Sequence, residues 1–256
     1  MRVHHVNLGT MCPIAPRSWI ADPDDGGGGR LVCHGLVVET DDGLLLVETG
    51  FGTADLASPA GTLGRGFVTM TRPALDPEET AVRQIERLGF RREDVRHVVC
   101  THLDLDHAGG LPDFPEARVH VYARELEAVN ARSTFMERER YRPKHFAHGP
   151  RWEPYEADGE PWHGFACVRQ LRGLPPEVLL VPLVGHTRGH CAVAIDLGAG
   201  WLVHAGDAYF FRGEMDPVAP RCPVGLRIFQ ERMGIDRWDM ARNKERLRLL
   251  VKERAG

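Results

Sequence analysis

The 256-residue sequence lacks several features that would place a protein in a particular class. No run of about 18 apolar residues is present, so we expect no membrane-spanning helix and no membrane partner. The first residues, MRVHHVNLGTMCPIAPRSW, contain no apolar signal core, which argues against secretion and favours a cytoplasmic protein. The six cysteines include no C-x-x-C pair, and we expect them to be free thiols.

An excess of charge of one sign is also lacking. The 32 Lys and Arg residues and the 36 Asp and Glu residues are interspersed and give a net charge of −4. Because no basic patch emerges, we expect no nucleic-acid partner. Histidine, in contrast, is abundant, with 13 residues. An apolar content of 43% is sufficient for a substantial core, and we expect a single domain over residues 1–256.

Alternating strand and helix signals predict an α/β fold. Strands are expected at 30–40, 43–50, 95–102, 117–123, 177–185, 190–198 and 200–207. The first two flank the turn Asp-Asp-Gly, which predicts a hairpin. Helices are expected from the cap at Asp76 to Gly89, over 124–132, and in the C-terminal tail. The expected apolar stripe of the tail consists of Trp238, Ala241, Leu247, Leu250 and Val251.

Two segments show no clear period. Residues 51–75 are rich in Gly and Pro and are interpreted as a long loop. Its Leu63, Phe67 and Met70 could form an apolar wall beside a site. Residues 130–165 are interpreted as an irregular insertion, and their alternating charges favour either a solvated helix face or a lid over a site.

Histidines and carboxylates follow three of the predicted strands, in the segments THLDLDHAGG, VGHTRGH and LVHAGDAY. A strand that ends in such groups loses stability unless something binds them. Three strand ends that carry nitrogen and oxygen ligands can converge on a divalent metal. The candidate metal ligands are His102, Asp104, Asp106, His107, His186 and Asp207.

The order and spacing of these segments resemble the metallo-β-lactamase superfamily, whose pattern is H-x-H-x-D-H, then a histidine in a GHT turn, then an aspartate after a strand. The resemblance covers most of the chain. It implies a four-layer αββα sandwich with the metal site at one edge, between two sheets. GHTRGH and GDAY look most like the lactonase and organophosphate-hydrolase branch of the superfamily.

The resemblance also implies how the ligands divide. His102, residue 104 and His186 would hold one metal ion. A second ion would be held by Asp106, His107 and Asp207, with Asp207 bridging. Two close cations lower the pKa of water until a hydroxide nucleophile exists near neutral pH.

Two residues are candidates for catalysis beyond metal binding. Asp106 could orient the nucleophile and accept its proton. Tyr209 could donate a hydrogen bond to an oxyanion or to the leaving group. His190, in the same turn as His186, is expected to orient a neighbour or to pack rather than to bind metal.

Three departures from the superfamily pattern affect the metal. Asp104 replaces the middle histidine, and the resulting set of two imidazoles and one carboxylate suits Fe(II) as well as Zn(II) or Mn(II). Glu48 stands where the superfamily commonly has an aspartate that supports a ligand, and its longer side chain could reach the same imidazole. No histidine follows His204, although a seventh ligand is expected there, so a mononuclear site stays open.

Three functions are compatible with these observations. The leading hypothesis is a metal-dependent hydrolase that opens an ester, a lactone or a similar acyl bond of a small molecule. The alternatives are a mononuclear iron-dependent oxidoreductase and a binding protein that has lost catalysis. The expected cofactor is a divalent metal, first of all one or two zinc ions, with iron or manganese as alternatives. The expected partner is a small-molecule substrate. Lactonase-like relatives are often dimers, and the sequence leaves open whether this chain forms a homodimer.

Overall fold

The computed structural model of the protein describes residues 1–15, 17–21, 29–167 and 170–254. Two β-sheets organise this part of the chain. The strands are β1 (Arg2–Met11), β2 (Leu31–Thr40), β3 (Gly43–Val47), β4 (Val95–Val99), β5 (Arg118–Tyr122), β6 (Arg151–Tyr155), β7 (Val178–Pro182), β8 (Cys191–Asp196) and β9 (Trp201–His204).

The helices are short, apart from the last. The α-helices are α1 (Arg17–Ile20), α2 (Thr53–Ala57), α3 (Arg65–Thr71), α4 (Ala81–Arg87), α5 (Leu105–Ala108), α6 (Ala123–Ala131), α7 (Phe135–Arg140), α8 (Pro143–Phe146), α9 (Val224–Met233) and α10 (Arg237–Arg254). A π-helix covers Ala60–Gly64, and 3-10 helices cover Pro77–Glu79, Arg92–Asp94, Leu111–Asp113, Gly206–Ala208 and Arg212–Met215. None of the described helices is long and apolar enough to cross a membrane.

The first sheet has the order β1-β2-β3-β4-β5-β6 and the second the order β7-β8-β9. Strands β1 to β3 are antiparallel, whereas β3 to β6 are parallel. The predicted hairpin is present, with Thr40 paired to Gly43 across the two turn residues. Gly43 has φ +111° and its Cβ position would lie 2.7 Å from the Asp94 carbonyl oxygen, so another residue would be strained there.

Successive side chains of each strand point to opposite faces of its sheet. One face of each sheet packs against the other sheet, and the opposite face packs against helices. Leu36 and Leu45 of the first sheet share one buried cluster with Leu180 and Val193 of the second. The outer face of the first sheet packs against α4, α5 and α6 in another cluster. The outer face of the second sheet packs against α10, through Leu247. The resulting order, helix, sheet, sheet, helix, is the predicted four-layer sandwich.

The interpretation of residues 51–75 as a loop is wrong, since α2, the π-helix and α3 fill most of this segment. Helices this short have little stability of their own and depend on tertiary contacts. Leu63 is fully buried in the core, and the buried Asp55 carboxylate accepts a hydrogen bond from the Gly52 amide, 2.9 Å away. Neither contact has a periodic sequence signal.

The interpretation of residues 130–165 as an irregular insertion is also wrong, because this segment contains α7, α8 and β6. Strand β6 forms the edge of the first sheet, which tolerates Pro154, a residue without a backbone N–H donor. The charged run is not a wholly solvated helix face either. Glu137 and Arg140 of α7 are only 2% and 3% exposed.

Helix α10 occurs as predicted, but its buried face differs from the expected stripe. Trp238 is 76% exposed and Val251 is 43% exposed. Of the expected residues Leu247 is buried, and the unexpected Met240 and Asn243 are buried with it. Strand β1 and helix α9 had not been predicted; both are defined by long-range contacts, β1 with β2 and α9 with α1.

Candidate metal centre

Three loops converge at one edge of the two sheets. The loop after β4 carries His102 to His107, the turn between β7 and β8 carries His186, and the turn after β9 carries Asp207. The Cys191 amide donates to the Thr101 carbonyl oxygen at 2.8 Å and joins the two sheets at this edge. The structure therefore brings together residues that are up to 105 positions apart in sequence.

The first group of donor atoms surrounds one oxygen of Asp104 and one of Asp207. Nε2 of His186 lies 3.1 Å from Oδ2 of Asp104 and 3.3 Å from Oδ2 of Asp207. Nε2 of His102 lies 3.5 Å and 3.9 Å from the same two oxygens. Two imidazole nitrogens and two carboxylate oxygens thus face a common point.

The second group lies on the other side of Asp207. Nε2 of His107 is 3.4 Å from Oδ1 of Asp207, so the two oxygens of this carboxylate face different histidines. Nδ1 of His107 is 3.3 Å from Oε2 of Glu48. Glu48 therefore reaches the imidazole that it was expected to support, and its Oε1 accepts a hydrogen bond from the Thr101 amide at 2.7 Å.

Burial and opposite charges compete in setting the protonation of these groups. Burial alone would raise the pKa of Asp207, but the neighbouring His107 and His186 outweigh it, so the pKa is lowered. Burial alone would lower the pKa of His107, but Asp207 and Glu48 outweigh it and raise the pKa well above its ordinary value. Asp106 differs, because burial raises its pKa and the Asp207 charge acts in the same direction, although His107 opposes both.

The donor set fits a divalent cation. Donor atoms of His102, Asp104 and His186 all lie within 4.8 Å of one another, and so do donor atoms of Glu48, His102 and His107. All five residues are buried. Nε2 of His102 is buried and has no hydrogen-bond partner within the described part of the chain, which costs about 1–3 kcal/mol unless another group satisfies it. A cation among these imidazoles and carboxylates would do so.

His190 orients Asp207 and is not available as a ligand. Its Nδ1 donates to the Leu183 carbonyl oxygen at 3.0 Å, and its Nε2 accepts from the Asp207 amide at 2.9 Å. Both ring nitrogens are therefore used. Burial lowers the pKa of His190 well below its ordinary value, which keeps the ring neutral in this arrangement. The expectation that His190 supports its neighbours agrees with this geometry.

Two supporting residues had not been singled out in the sequence. Glu125 is fully buried and joins the loop of His102 to the turn of His186. Its carboxylate accepts hydrogen bonds from the Leu103 amide, the Tyr141 hydroxyl, the Thr187 hydroxyl and the Gly189 amide. Arg140 is the second such residue, and its Nε lies 3.4 Å from Oδ1 of Asp104. Both belong to charge-rich segments that gave no local signal of burial.

A cavity of about 400 Å³ opens onto the candidate ligands. Its polar wall includes Asp104, Asp106, His107, His186 and Asp207. Its apolar wall includes Met11, Leu31, Phe67, Phe210, Phe229 and Met233. Tyr209 lines the same cavity, and burial raises the pKa of its phenol. Of the three apolar residues proposed from segment 51–75, Phe67 lines the cavity, whereas Leu63 lies in the core and Met70 is half exposed.

The fold and the candidate site, together with a comparison of the sequence with models of known protein families, define the family of the protein. The sequence model of the metallo-beta-lactamase superfamily matches residues 28–254. The chain belongs to this superfamily. The predicted fold and the predicted enzyme class, a metallo-hydrolase, are confirmed.

Individual relatives agree with that class. A probable metallo-hydrolase of Mycobacterium tuberculosis is 45% identical over 247 residues, which are 96% of this chain and 74% of the relative. An N-acyl homoserine lactonase of Bacillus cereus is 28% identical over 103 residues, which are 39% of this chain and 40% of the relative. Among solved structures, an N-acyl homoserine lactone hydrolase with its product N-hexanoyl-L-homoserine at the catalytic metal centre has a TM-score of 0.70 at 23% identity. That alignment covers 99% of this chain and 89% of the other, and it shows the shared fold.

Proposed function

We propose that the protein hydrolyses an ester or lactone bond in a small molecule that carries an apolar acyl chain. The observation that carries this proposal is the single cavity in which candidate metal ligands form one wall and apolar side chains the other. A substrate that fits such a cavity has a polar reacting end and an apolar tail. The B. cereus relative and the solved neighbour are named for N-acyl homoserine lactones, which have this character.

The candidate ligands divide into two groups around Asp207. His102, Asp104 and His186 would hold one ion, with Oδ2 of Asp207 on its side. His107 and Asp106 would contribute to a second position next to Oδ1 of Asp207. The first group is the more complete one. We therefore propose that it binds zinc more tightly, and that occupancy of the second position depends on the metal concentration.

A divalent cation in this position supplies Lewis acidity, which lowers the pKa of water and polarises the substrate carbonyl group. The remaining tasks fall to the protein. The carboxylate of Asp106 lines the cavity and can accept a proton from the attacking water. Asp106 then returns this proton to the alcohol that leaves, so that ester and water become acid and alcohol. Its raised pKa suits an exchange of protons in both directions.

Tyr209 is proposed to donate a hydrogen bond from its hydroxyl group to the acyl oxygen of the substrate. Its position in the cavity wall allows contact with a bound molecule. Because burial raises the pKa of this phenol, the hydroxyl keeps its proton near neutral pH and stays a donor. Phe67, Phe210 and Phe229 would surround the acyl chain and exclude water from the reacting bond.

The test combines metal analysis with a substrate panel. The metal content of the purified protein is measured, and the metal-free form is reloaded with zinc, manganese or iron in separate samples. Each form is assayed with lactones of increasing acyl-chain length, with aryl esters, thioesters and phosphotriesters. We expect kcat/KM for lactones to rise about fourfold per added methylene until the cavity is full. Phe229→Ala should weaken this dependence on chain length. Failure of every metal-loaded form to cleave any ester or lactone would refute the proposal.

One observation favours a second candidate, an iron-dependent oxidoreductase. His102, Asp104 and His186 form a group of two imidazoles and one carboxylate, a ligand set typical of non-haem Fe(II) enzymes. The same metal analysis separates the two candidates. Iron in the purified protein, with oxygen consumption in the presence of a thiol or persulfide and no cleavage of esters, would favour the oxidoreductase.

A further inference from the structure

We propose that Arg140 is a positioning residue for Asp104, and that the Asp104–Arg140 ion pair takes the place of the neutral histidine at the centre of the superfamily motif. The inference rests on the metal site proposed above. It explains how this chain can use a carboxylate as the second ligand without adding net negative charge to the site. It also assigns a role to α7, which lies outside the motif segments.

The geometry gives each oxygen of Asp104 a separate task. Oδ1 faces Nε of Arg140 at 3.4 Å, whereas Oδ2 faces Nε2 of His186 at 3.1 Å and Nε2 of His102 at 3.5 Å. The guanidinium therefore faces the Asp104 oxygen that the two imidazole nitrogens do not face. Oδ1 thus forms an ion pair with Arg140 without a hydrogen bond, and Oδ2 is directed at the proposed metal position.

Arg140 is itself held in place. Its side chain is 3% exposed and that of Asp104 is 7% exposed, so the pair lies almost entirely out of water. One terminal nitrogen of Arg140 donates to the His186 carbonyl oxygen at 3.0 Å, and the other donates to the Met233 carbonyl oxygen. The planar guanidinium thus links the first ligand group to the turn of His186 and to the end of α9, in a way that lysine cannot reproduce.

Charge explains why the pair is needed. A histidine ligand is neutral, whereas Asp104 adds one negative charge to a site that already contains Glu48, Asp106 and Asp207. An unpaired buried carboxylate among these groups would be strongly destabilised. The positive charge of Arg140 cancels that of Asp104, so the pair has the net charge of an imidazole. A guanidinium has no lone pair for the metal and therefore does not compete as a ligand.

If the Asp104–Arg140 pair acts in place of one histidine, the effects of substituting Asp104 and Arg140 should depend on each other. Arg140→Gln leaves Asp104 with an uncompensated charge and with no partner for Oδ1. Asp104→His leaves the buried Arg140 without its carboxylate and close to the metal. The combined variant has a neutral ligand and a neutral partner. We therefore expect each single substitution to lower zinc affinity. Adding Arg140→Gln to the Asp104→His variant should restore part of the lost affinity.

The experiment measures zinc affinity by competition with a chromophoric chelator, and the ligand field by the visible spectrum of the cobalt-loaded protein. Arg140→Gln should lower zinc affinity about 10- to 100-fold, the usual effect of losing a group that orients a ligand. Asp104→His alone should also bind zinc more weakly than the wild type. Arg140→Gln in the Asp104→His background should raise affinity instead of lowering it.

A matched control is available two residues away. Arg142→Gln makes the same type of substitution at a different arginine. Arg142 forms an ion pair with Glu139 at 3.0 Å, so this variant should leave zinc affinity unchanged. Arg140→Lys, which keeps the charge, should retain more affinity than Arg140→Gln and serves as the test if the glutamine variant does not fold. Circular dichroism of the metal-free proteins checks that each variant is folded.

The outcomes separate this inference from the proposed function. Wild-type protein that binds no zinc, iron or manganese overturns both. Wild-type protein that binds metal, with Arg140→Gln equally harmful or equally silent in both backgrounds, overturns the role of Arg140 and leaves the hydrolase proposal standing. A reversed effect of Arg140→Gln in the Asp104→His background, together with a changed cobalt spectrum in the single variant, supports the inference.

Discussion

Glu125→Gln should destabilise the protein although it changes neither the size nor the shape of the side chain. The two oxygens of Glu125 each accept one backbone amide and one hydroxyl hydrogen bond. Oε1 accepts from Leu103 N at 2.9 Å and from the Tyr141 hydroxyl at 3.1 Å. Oε2 accepts from Gly189 N at 2.9 Å and from the Thr187 hydroxyl at 2.7 Å.

The size of the stability loss depends on the two backbone N–H groups, which cannot change from hydrogen-bond donor to acceptor. A hydroxyl group can rotate and accept a hydrogen bond from the glutamine NH₂ group, but a backbone N–H group can only donate. Whichever way the amide is oriented, one of Leu103 N and Gly189 N faces another donor. An unsatisfied buried N–H group costs about 1–3 kcal/mol, and loss of charge weakens the remaining hydrogen bonds. A lower desolvation cost of the neutral amide offsets part of this, which leaves about 2–4 kcal/mol.

The assay is urea unfolding of the metal-free protein, followed by thermal unfolding. For a chain of this size a loss of about 2–4 kcal/mol lowers Tm by about 5–15 °C. The control is Glu127→Gln on the same helix, where the side chain is exposed, and it should stay close to the wild type. If Glu125→Gln unfolds within about 0.5 kcal/mol of the wild type, the size expected of a neutral surface change, this account of Glu125 is wrong.

Two further predictions concern acid stability and catalysis. Burial, and next the neighbouring His97, lower the pKa of His120 from 6.5 to about 3. Below pH 6.5, His120 is therefore protonated in the unfolded chain but stays neutral in the folded protein. Folding stability is lost as the pH falls from 6.5 towards 3. At pH 4.5 the lost stability amounts to about 3 kcal/mol, so His120→Asn should lose less stability than the wild type between pH 7 and pH 4.5 in urea unfolding. If His120→Asn loses as much stability as the wild type between pH 7 and pH 4.5, this explanation is wrong. Tyr209→Phe should lower kcat for lactones about 100-fold at unchanged zinc content, and an unchanged kcat would remove Tyr209 from the mechanism.

The sequence alone singled out the candidate ligands, because most of them occur in short local motifs. His102 to His107 lie within six residues directly after a buried strand, and His186 and Asp207 each follow a strand of the second sheet. The apolar runs of β2, β3, β4, β7 and β8 are equally local signals, since strands buried on both faces are apolar throughout. The family pattern and the four-layer fold could therefore be predicted before any contact was known.

Helices and strands without a strong period were not predictable in this way. The helices of segment 51–75 contain glycines and are flanked by prolines, and they are stabilised by buried contacts such as those of Leu63 and Asp55. Strand β6 contains Pro154, which is tolerated only because the strand lies at the sheet edge. In both segments, tertiary packing outweighed local preference.

What the sequence determined was which residues could bind a metal, because ligand type and spacing are written in neighbouring positions. The tertiary structure alone decided what surrounds them. Arg140 meets Asp104 across 36 positions of sequence, and Glu125 meets Thr187 across 62. Such pairings have no period and depend on how the helices are packed against the sheets. In a charged side chain, burial changes the energy of every contact, and burial is a property of the fold.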